Sequence, residues 1–322
     1  MSIATILQSI RTNLSAAWTA LINKGATIPA NQNIENLATA ITSIPSGGTN
    51  KLPSVVDRSV TEITAQDLGN ITRIGEYAFD SCTSLINLGI PSSVRTIGQY
   101  AFSGCLSLTN IFIDDIVDYC KIECDIGFSS SPFTAAKNLY INNELVMDLV
   151  IPDSVTEIKP QSAFMGNPSF TSITIGNGVT TIGQSAFSGG FSTNMTLITL
   201  IIGNGVTTIG QSAFSGHGAL TSIRISATTP PTLANANAFN NTNNCPIYAP
   251  YNSVNAYRTA TNWASLSSRI QGFAPGGTFS QGDTLPTTST EGLTLTWYSD
   301  VGRTQLVTTV SDPTVEYYCT AA

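Results

Sequence analysis

The sequence predicts an α/β solenoid: short parallel strands stacked coil upon coil, preceded by a helical module and followed by a small all-β module. Three observations predict it. A dozen residues recur nearly unchanged, as IGEYAFDSCTSL from Ile74, IGQYAFSGCLSL from Ile97, IGQSAFSGG from Ile182 and IGQSAFSGHGAL from Ile209. The recurrence keeps one register through its insertions. Only 10% of the 322 residues are charged, against about 25% in ordinary soluble domains, so Ser, Thr, Asn and Gly must keep the surface wet.

The register is read from Ala-Phe pairs ending at Phe79, Phe102, Phe164, Phe187, Phe214 and Phe239, which are 23, 62, 23, 27 and 25 residues apart. Six residues after a pair stands Leu85, Leu108, Phe170 or Leu220, and eleven after it Ile90, Ile113, Ile175 or Ile225. Val94 and Val179 follow at fifteen, Ile97 and Ile182 at eighteen. The step of 27 is a step of 23 with four residues inserted near GGFSTNMT. A period of about 20–29 residues carrying Leu-x-x-Ile-x-Ile marks a leucine-rich repeat. Each repeat then supplies one strand, with Ile223 and Ile225 facing in and Ser222 and Arg224 facing out. Pro91, Pro152, Gly176 and Gly203 turn the chain after the strand, and the Phe rings stack between coils. No coil buries its apolar face alone, so neighbours must supply the burial.

IPSSVRTIGQYAFSGC, Ile90 to Cys105, resembles the BspA-like bacterial leucine-rich-repeat family and its 23-residue IPxSVxxIGxxAFxxC pattern. The resemblance covers about residues 55 to 270. It implies a binding protein, often a bacterial surface adhesin. IPDSVTEIKPQSAF departs from the pattern by one inserted residue and by Pro160. Between Phe102 and Phe164 one Ala-Phe pair is missing, and LYI-NN-ELV there reads as a hairpin turning at Asn142-Asn143.

The ends differ from the middle. Residues 1–45 read as two helices. Ile3, Leu7, Ile10, Leu14, Ala17 and Leu21 step as a heptad seam, which suits docking or self-association into a homo-oligomer, for instance a trimer. SGGTN lies in a linker over 46–54. The solenoid is expected over 55–271. Its cap is expected at 226–271, where TTPPTL stops the repeat, CPIYAP gives a last strand and a helix follows. FAPGG reads as a second linker, and 272–322 as a small β module with alternation at Leu293, Leu295 and Trp297 and at Val315, Tyr317 and Cys319. ALINKGATIPANQNIENLATAITSIPSGG, residues 20–48, is similar to the N-termini of phage and prophage tail-associated proteins. GDTLPTTSTEGLTLTWYSD resembles the small β-repeat of bacterial surface proteins, the Listeria–Bacteroides type, but YYCTAA departs from its close.

Catalytic chemistry finds no constellation. His217 is the single histidine and fills a turn slot aligned with Cys105, so a Ser-His-Asp triad has no base elsewhere. IGNGVTTIG repeats glycines without a phosphate-binding lysine. DDIVD with Glu123 and Asp125 lacks the spacing of a calcium loop. One histidine and six scattered cysteines (82, 105, 120, 124, 245 and 319) offer neither a zinc set nor a disulfide framework. The reading is therefore a non-enzyme with no cofactor and no metal. A net charge of −7 argues against nucleic acid. No run of eighteen apolar residues predicts a membrane span, and the start lacks the pattern of a secretory leader.

Together these features imply a phage tail-associated binding protein located in the virion. It would meet tail or baseplate proteins through its N-terminus and a bacterial surface protein or polysaccharide through its repeats. Two further readings stand beside it: a cell-surface adhesin and a structural virion decoration. The candidate ligand face is the outward row Asn110, Ser172, Thr174, Thr199, Ser222 and Arg224, because parallel stacking lines these positions up. The insertion at 189–196 and the aromatics Trp297, Tyr298 and Tyr318 are alternative contacts.

Overall fold

Each repeat in the computed structural model climbs along one strand, turns, and returns along a second, shorter one. The structure describes residues 59–125, 130–161, 164–166, 169–189, 196–274, 281, 284–287, 294–299, 305–310 and 316–321. The expected N-terminal helices and the seam Ile3, Leu7, Ile10, Leu14 and Leu21 lie outside these residues.

In chain order, β1 (Glu62–Ile63) leads through α1 (Ala65–Leu68) to β2 (Arg73–Ile74), β3 (Asn87–Gly89) to β4 (Thr96–Ile97), and β5 (Asn110–Ile113) through α2 (Ile116–Tyr119) to β6 (Glu123–Cys124). An irregular stretch holds β7 (Asn138–Ile141), β8 (Glu144–Leu145) and β9 (Asp148–Ile151), followed by β10 (Glu157–Ile158). Regular coils resume with β11 (Ser172–Ile175) and β12 (Thr181–Ile182), β13 (Thr199–Ile202) and β14 (Thr208–Ile209), and β15 (Ser222–Ile225) and β16 (Thr232–Leu233). The chain ends with β17 (Ile247–Pro250), α3 (Val254–Thr259), β18 (Ile270–Ala274), β19 (Leu295–Tyr298), β20 (Leu306–Val307) and β21 (Tyr317–Ala321).

The long strands pair in parallel at the register of the repeat, as Ile173 with Leu200 and Leu200 with Ile223. They make two sheets, β1-β3-β5-β7-β8 and β20-β19-β21-β18-β17-β15-β13-β11-β9. The break falls at the hairpin, where Asn142 and Asn143 take φ of 51° and 65° and β8 runs antiparallel to β7. Asn tolerates that conformation better than most residues. The return strands form two narrower sheets, β2-β4-β6 and β10-β12-β14-β16. Sequence reading missed this layer, because two residues per repeat are too few to alternate.

The repeated apolar positions are the core. Leu85, Ile90, Val94 and Ile97 of one coil and Phe170, Ile175, Val179 and Ile182 of another are all buried. The Phe rings stack nearly parallel, with centroids 5.5 Å apart for Phe79–Phe102, 5.5 Å for Phe187–Phe214 and 5.8 Å for Phe214–Phe239. Phe164 joins the column through Phe187 at 5.2 Å, and Tyr119 meets it edge-on in the irregular coil. Backbone hydrogen bonds tie the same turns together: Phe187 N donates to Ala213 O at 2.9 Å and Phe214 N to Ala238 O at 2.9 Å. The residue three after each return isoleucine takes a left-handed φ, as at Tyr77, Tyr100, Gln161, Ser185 and Ser212. Gln161 keeps this slot although Pro160 precedes it.

Two expectations about the C-terminal end are corrected. TTPPTL does not stop the repeat: Thr232 and Leu233 pair in register with Thr208 and Ile209, and β17 and β18 add two more parallel strands. FAPGG does not begin as a linker, because Phe273 and Ala274 are buried in β18 and pair with Tyr318 and Tyr317. The last strands extend the long sheet in the antiparallel sense. They cover an edge that would otherwise present unpaired backbone groups.

The six cysteines are free and buried. Burial pushes the thiols of Cys105, Cys120 and Cys319 up to about 12, which suppresses the reactive thiolate. His217 is also buried, with Nε2 2.6 Å from Phe187 O. Burial holds its pKa below 6.5, against the opposing pull of that carbonyl. The unfolded chain therefore takes up the proton first. This contribution to stability is complete above about pH 6.5, the value of an exposed imidazole. It is lost as the pH falls from there through the folded-state pKa. Urea unfolding of wild type should weaken between pH 7 and 5, and His217→Gln should flatten that slope. Equal slopes would remove His217 as the cause.

Candidate functional site: the outer strand face

Two rows of side chains point away from the core along the long strands. The first holds Asn87, Asn110 and Asn138 on one sheet and Asp148, Ser172, Thr199 and Ser222 on the other. The asparagines form a ladder: Asn110 Nδ2 donates to Asn87 Oδ1 at 2.8 Å, and Asn138 Nδ2 donates to Asn110 Oδ1 at 2.9 Å. Such a ladder arises because a parallel register repeats one residue type at one height. Asp148 Oδ1 accepts from Ser172 Oγ at 2.7 Å and from Thr171 Oγ1 at 2.8 Å. Those two bonds, Ser172 first, hold its carboxyl below the usual carboxylate value.

The second row is Gly89, Phe112 and Tyr140, then Val150, Thr174, Ile201 and Arg224. Of the expected face, Asn110, Ser172, Thr174 and Thr199 stand half-buried in these rows. Ser222 and Arg224 keep the register of these rows but are covered or engaged by other contacts. Ser222 is buried. Arg224 pairs with Glu316, its guanidinium lies 5.4 Å from the Phe273 ring centroid, and its side chain is only 23% exposed. Tyr318 Oη donates to the same Glu316 at 2.8 Å and its ring packs edge-on against Tyr248. Arg224 therefore fastens the C-terminal strands to the stack. Removing one member of a half-buried ion pair strands the other. Arg224→Ala should thus speed proteolytic cleavage within 275–315 several-fold, while the Phe column stays protected from hydrogen exchange. Unchanged cleavage would show that strand pairing alone holds the module. Trp297 is not a surface contact either: it is buried and its Nε1 donates to Pro286 O at 2.7 Å.

Three carboxylates of the acidic segment are spent on structure. Asp115 caps α2 by accepting from Val117 N at 2.7 Å. Asp118 pairs with Lys121 at 2.8 Å and Arg95 at 3.2 Å, and Lys121 chiefly holds its carboxyl low. Asp125 meets Arg73 at 3.0 Å. Among the described residues no group of three His, Cys, Asp or Glu is placed to hold a metal ion, and no helix is long and apolar enough to cross a membrane. The face thus offers neutral donors and acceptors at the Asn ladder and at Ser172 and Thr199, beside a second row that is largely apolar.

Stacked parallel strands, a return layer and a buried phenyl column define a leucine-rich-repeat protein. The chain belongs to the family described as BspA type leucine rich repeat region, matched in six copies over residues 56–131 and 134–260. It is 27% identical to the leucine-rich repeat protein of T. pallidum over 51% of this chain and 52% of that one, with a TM-score of 0.23. The chain thus spans about half the length of that protein. It is 18% identical to a leucine-rich repeat protein from Eubacterium ventriosum (62% and 68% covered, TM-score 0.27) and 17% identical to one from Bacteroides ovatus (67% and 84%, TM-score 0.23). No curated protein matches the sequence.

Proposed function

We propose that this chain is a non-enzymatic attachment protein that recognises a bacterial surface polysaccharide or protein along its outer strand face. One observation carries the reading: neutral hydrogen-bonding groups stand in register on successive coils, as Asn87, Asn110 and Asn138 on one sheet and Ser172 and Thr199 on the other. Neighbouring strands lie about 4.8 Å apart, so one extended polymer meets the same chemistry on successive coils.

The resemblance of residues 20–48 to tail-associated proteins supports a place on a phage tail. The N-terminal helices would then dock on tail or baseplate proteins, or assemble a trimer, through the seam from Ile3 to Leu21. Membership of the BspA-type family supports a second reading, a bacterial cell-surface adhesin. Mass spectrometry of purified particles and of fractions from uninfected producing cells separates them. Peptides of this chain in the particles support the tail protein. Enrichment in the cell envelope without particles supports the adhesin.

A further inference from the structure

We infer that a cleft at the start of the first sheet binds a neutral sugar ring. The inference deepens the attachment reading and rests on it for its biological meaning.

The cleft exists because one repeat lacks a side chain. Gly89, Phe112 and Tyr140 are register partners on β3, β5 and β7. Tyr140 covers one face of the Phe112 ring, with centroids 4.7 Å apart and planes 16° from parallel. The other face looks toward β3, where Gly89 carries no side chain to continue the stack. A Cβ on Gly89 would collide with the backbone of Ala65, so the start of α1 closes the far side. What remains is an open cleft of about 550 Å³ with Gly89 as its floor and Phe112 and the Thr64–Gln66 segment as its walls. That is the volume range of small-ligand sites.

The rim sets the ligand's chemistry. Gln66, Asn142 and Asn143 bring amides, and Glu62 and Asp114 bring carboxylates; all five are exposed. A sugar ring presents an apolar face, which a phenyl ring covers, and an edge of hydroxyls that both donate and accept. The two carboxylates repel phosphate, sulfate and uronic acid groups. An ammonium group would suit the ring and the carboxylates, but it is donor-only and would leave the three amide N–H₂ groups unanswered. The amides therefore favour a neutral hexose or N-acetylhexosamine unit over a cationic peptide.

The test applies the full-length protein to immobilised neutral glycans, anionic glycans and a lysine-rich peptide. The expected result is binding to a subset of the neutral glycans that withstands 0.5 M salt. Phe112→Ala should weaken it at least tenfold, about 1.4 kcal/mol, and Phe112→Tyr should retain it. Gln66→Ala, on the exposed side of α1, should weaken it several-fold with no change in melting temperature, which guards against a folding defect in the phenylalanine variant. Gln211→Ala, an exposed change in the turn after β14, should leave it unchanged. Equal glycan binding by Phe112→Ala overturns the site. Preference for the lysine-rich peptide, abolished by salt, overturns the sugar. Adhesion to whole cells without any glycan binding overturns this inference and leaves the attachment reading standing; loss of both overturns both.

Discussion

Phe214→Ala is expected to destabilise the repeat stack by about 3–5 kcal/mol, the range of a phenyl deleted from a close-packed core. Phe214 is fully buried and sandwiched between Phe187 and Phe239 at interplanar angles of 2° and 4°. Phe187 cannot follow into the void, because its N donates to Ala213 O of the next coil, and Ala238, beside Phe239, accepts from Phe214 N. Phe187→Ala should cost a similar amount, and the double variant less than the sum, since one cavity then serves both. Urea unfolding followed by far-UV circular dichroism checks this. Contacts in a stacked protein run only between neighbours. A second unfolding transition in the variant, with coils on either side melting apart, would therefore agree with the account. A loss below 1 kcal/mol would mean that the rings do not form a shared spine.

The second large effect comes from adding a single carbon. Gly178 lies in the turn after β11, and a Cβ there would fall on the carbonyl oxygen of Asp153 in the preceding coil. Gly205 stands in the same slot one coil later, against Asn177 O. Overpacking usually costs about 1–3 kcal/mol. Here the obstructing atom is backbone and cannot rotate away, so Gly178→Ala should reach the upper end of that range or exceed it. Gly218→Ala is the control, since nothing stands within 4 Å of its added Cβ. Thermal unfolding should separate the two variants by several degrees. Equal melting temperatures would show that the coils are not packed as closely as their glycines imply.

The phenyl column and the strand register were legible in the sequence because each is written many times at one spacing. What is written once was not legible. Arg224 looks like any outward strand residue, and its partner Glu316 lies 92 positions away in a segment with no repeat to align it. FAPGG carries turn residues, yet Phe273 and Ala274 belong to a strand, because long-range pairing with Tyr317 and Tyr318 overrides local preference. The cleft at Gly89 was not legible either, because it is marked by a missing side chain rather than by a polar one. The usable signal was a glycine inside a strand, one repeat from an aromatic in the same position.

The attachment claim is tested most directly by flow cytometry of the labelled full-length protein on a panel of bacterial strains, comparing wild type with Thr174→Glu/Thr199→Glu. Both threonines stand on the outer strand face, half-buried and outside the phenyl column. The account expects strain-dependent binding by wild type and loss of most of it in the double variant, with the melting temperature unchanged. Binding of the folded double variant to the same strains at wild-type strength would contradict it.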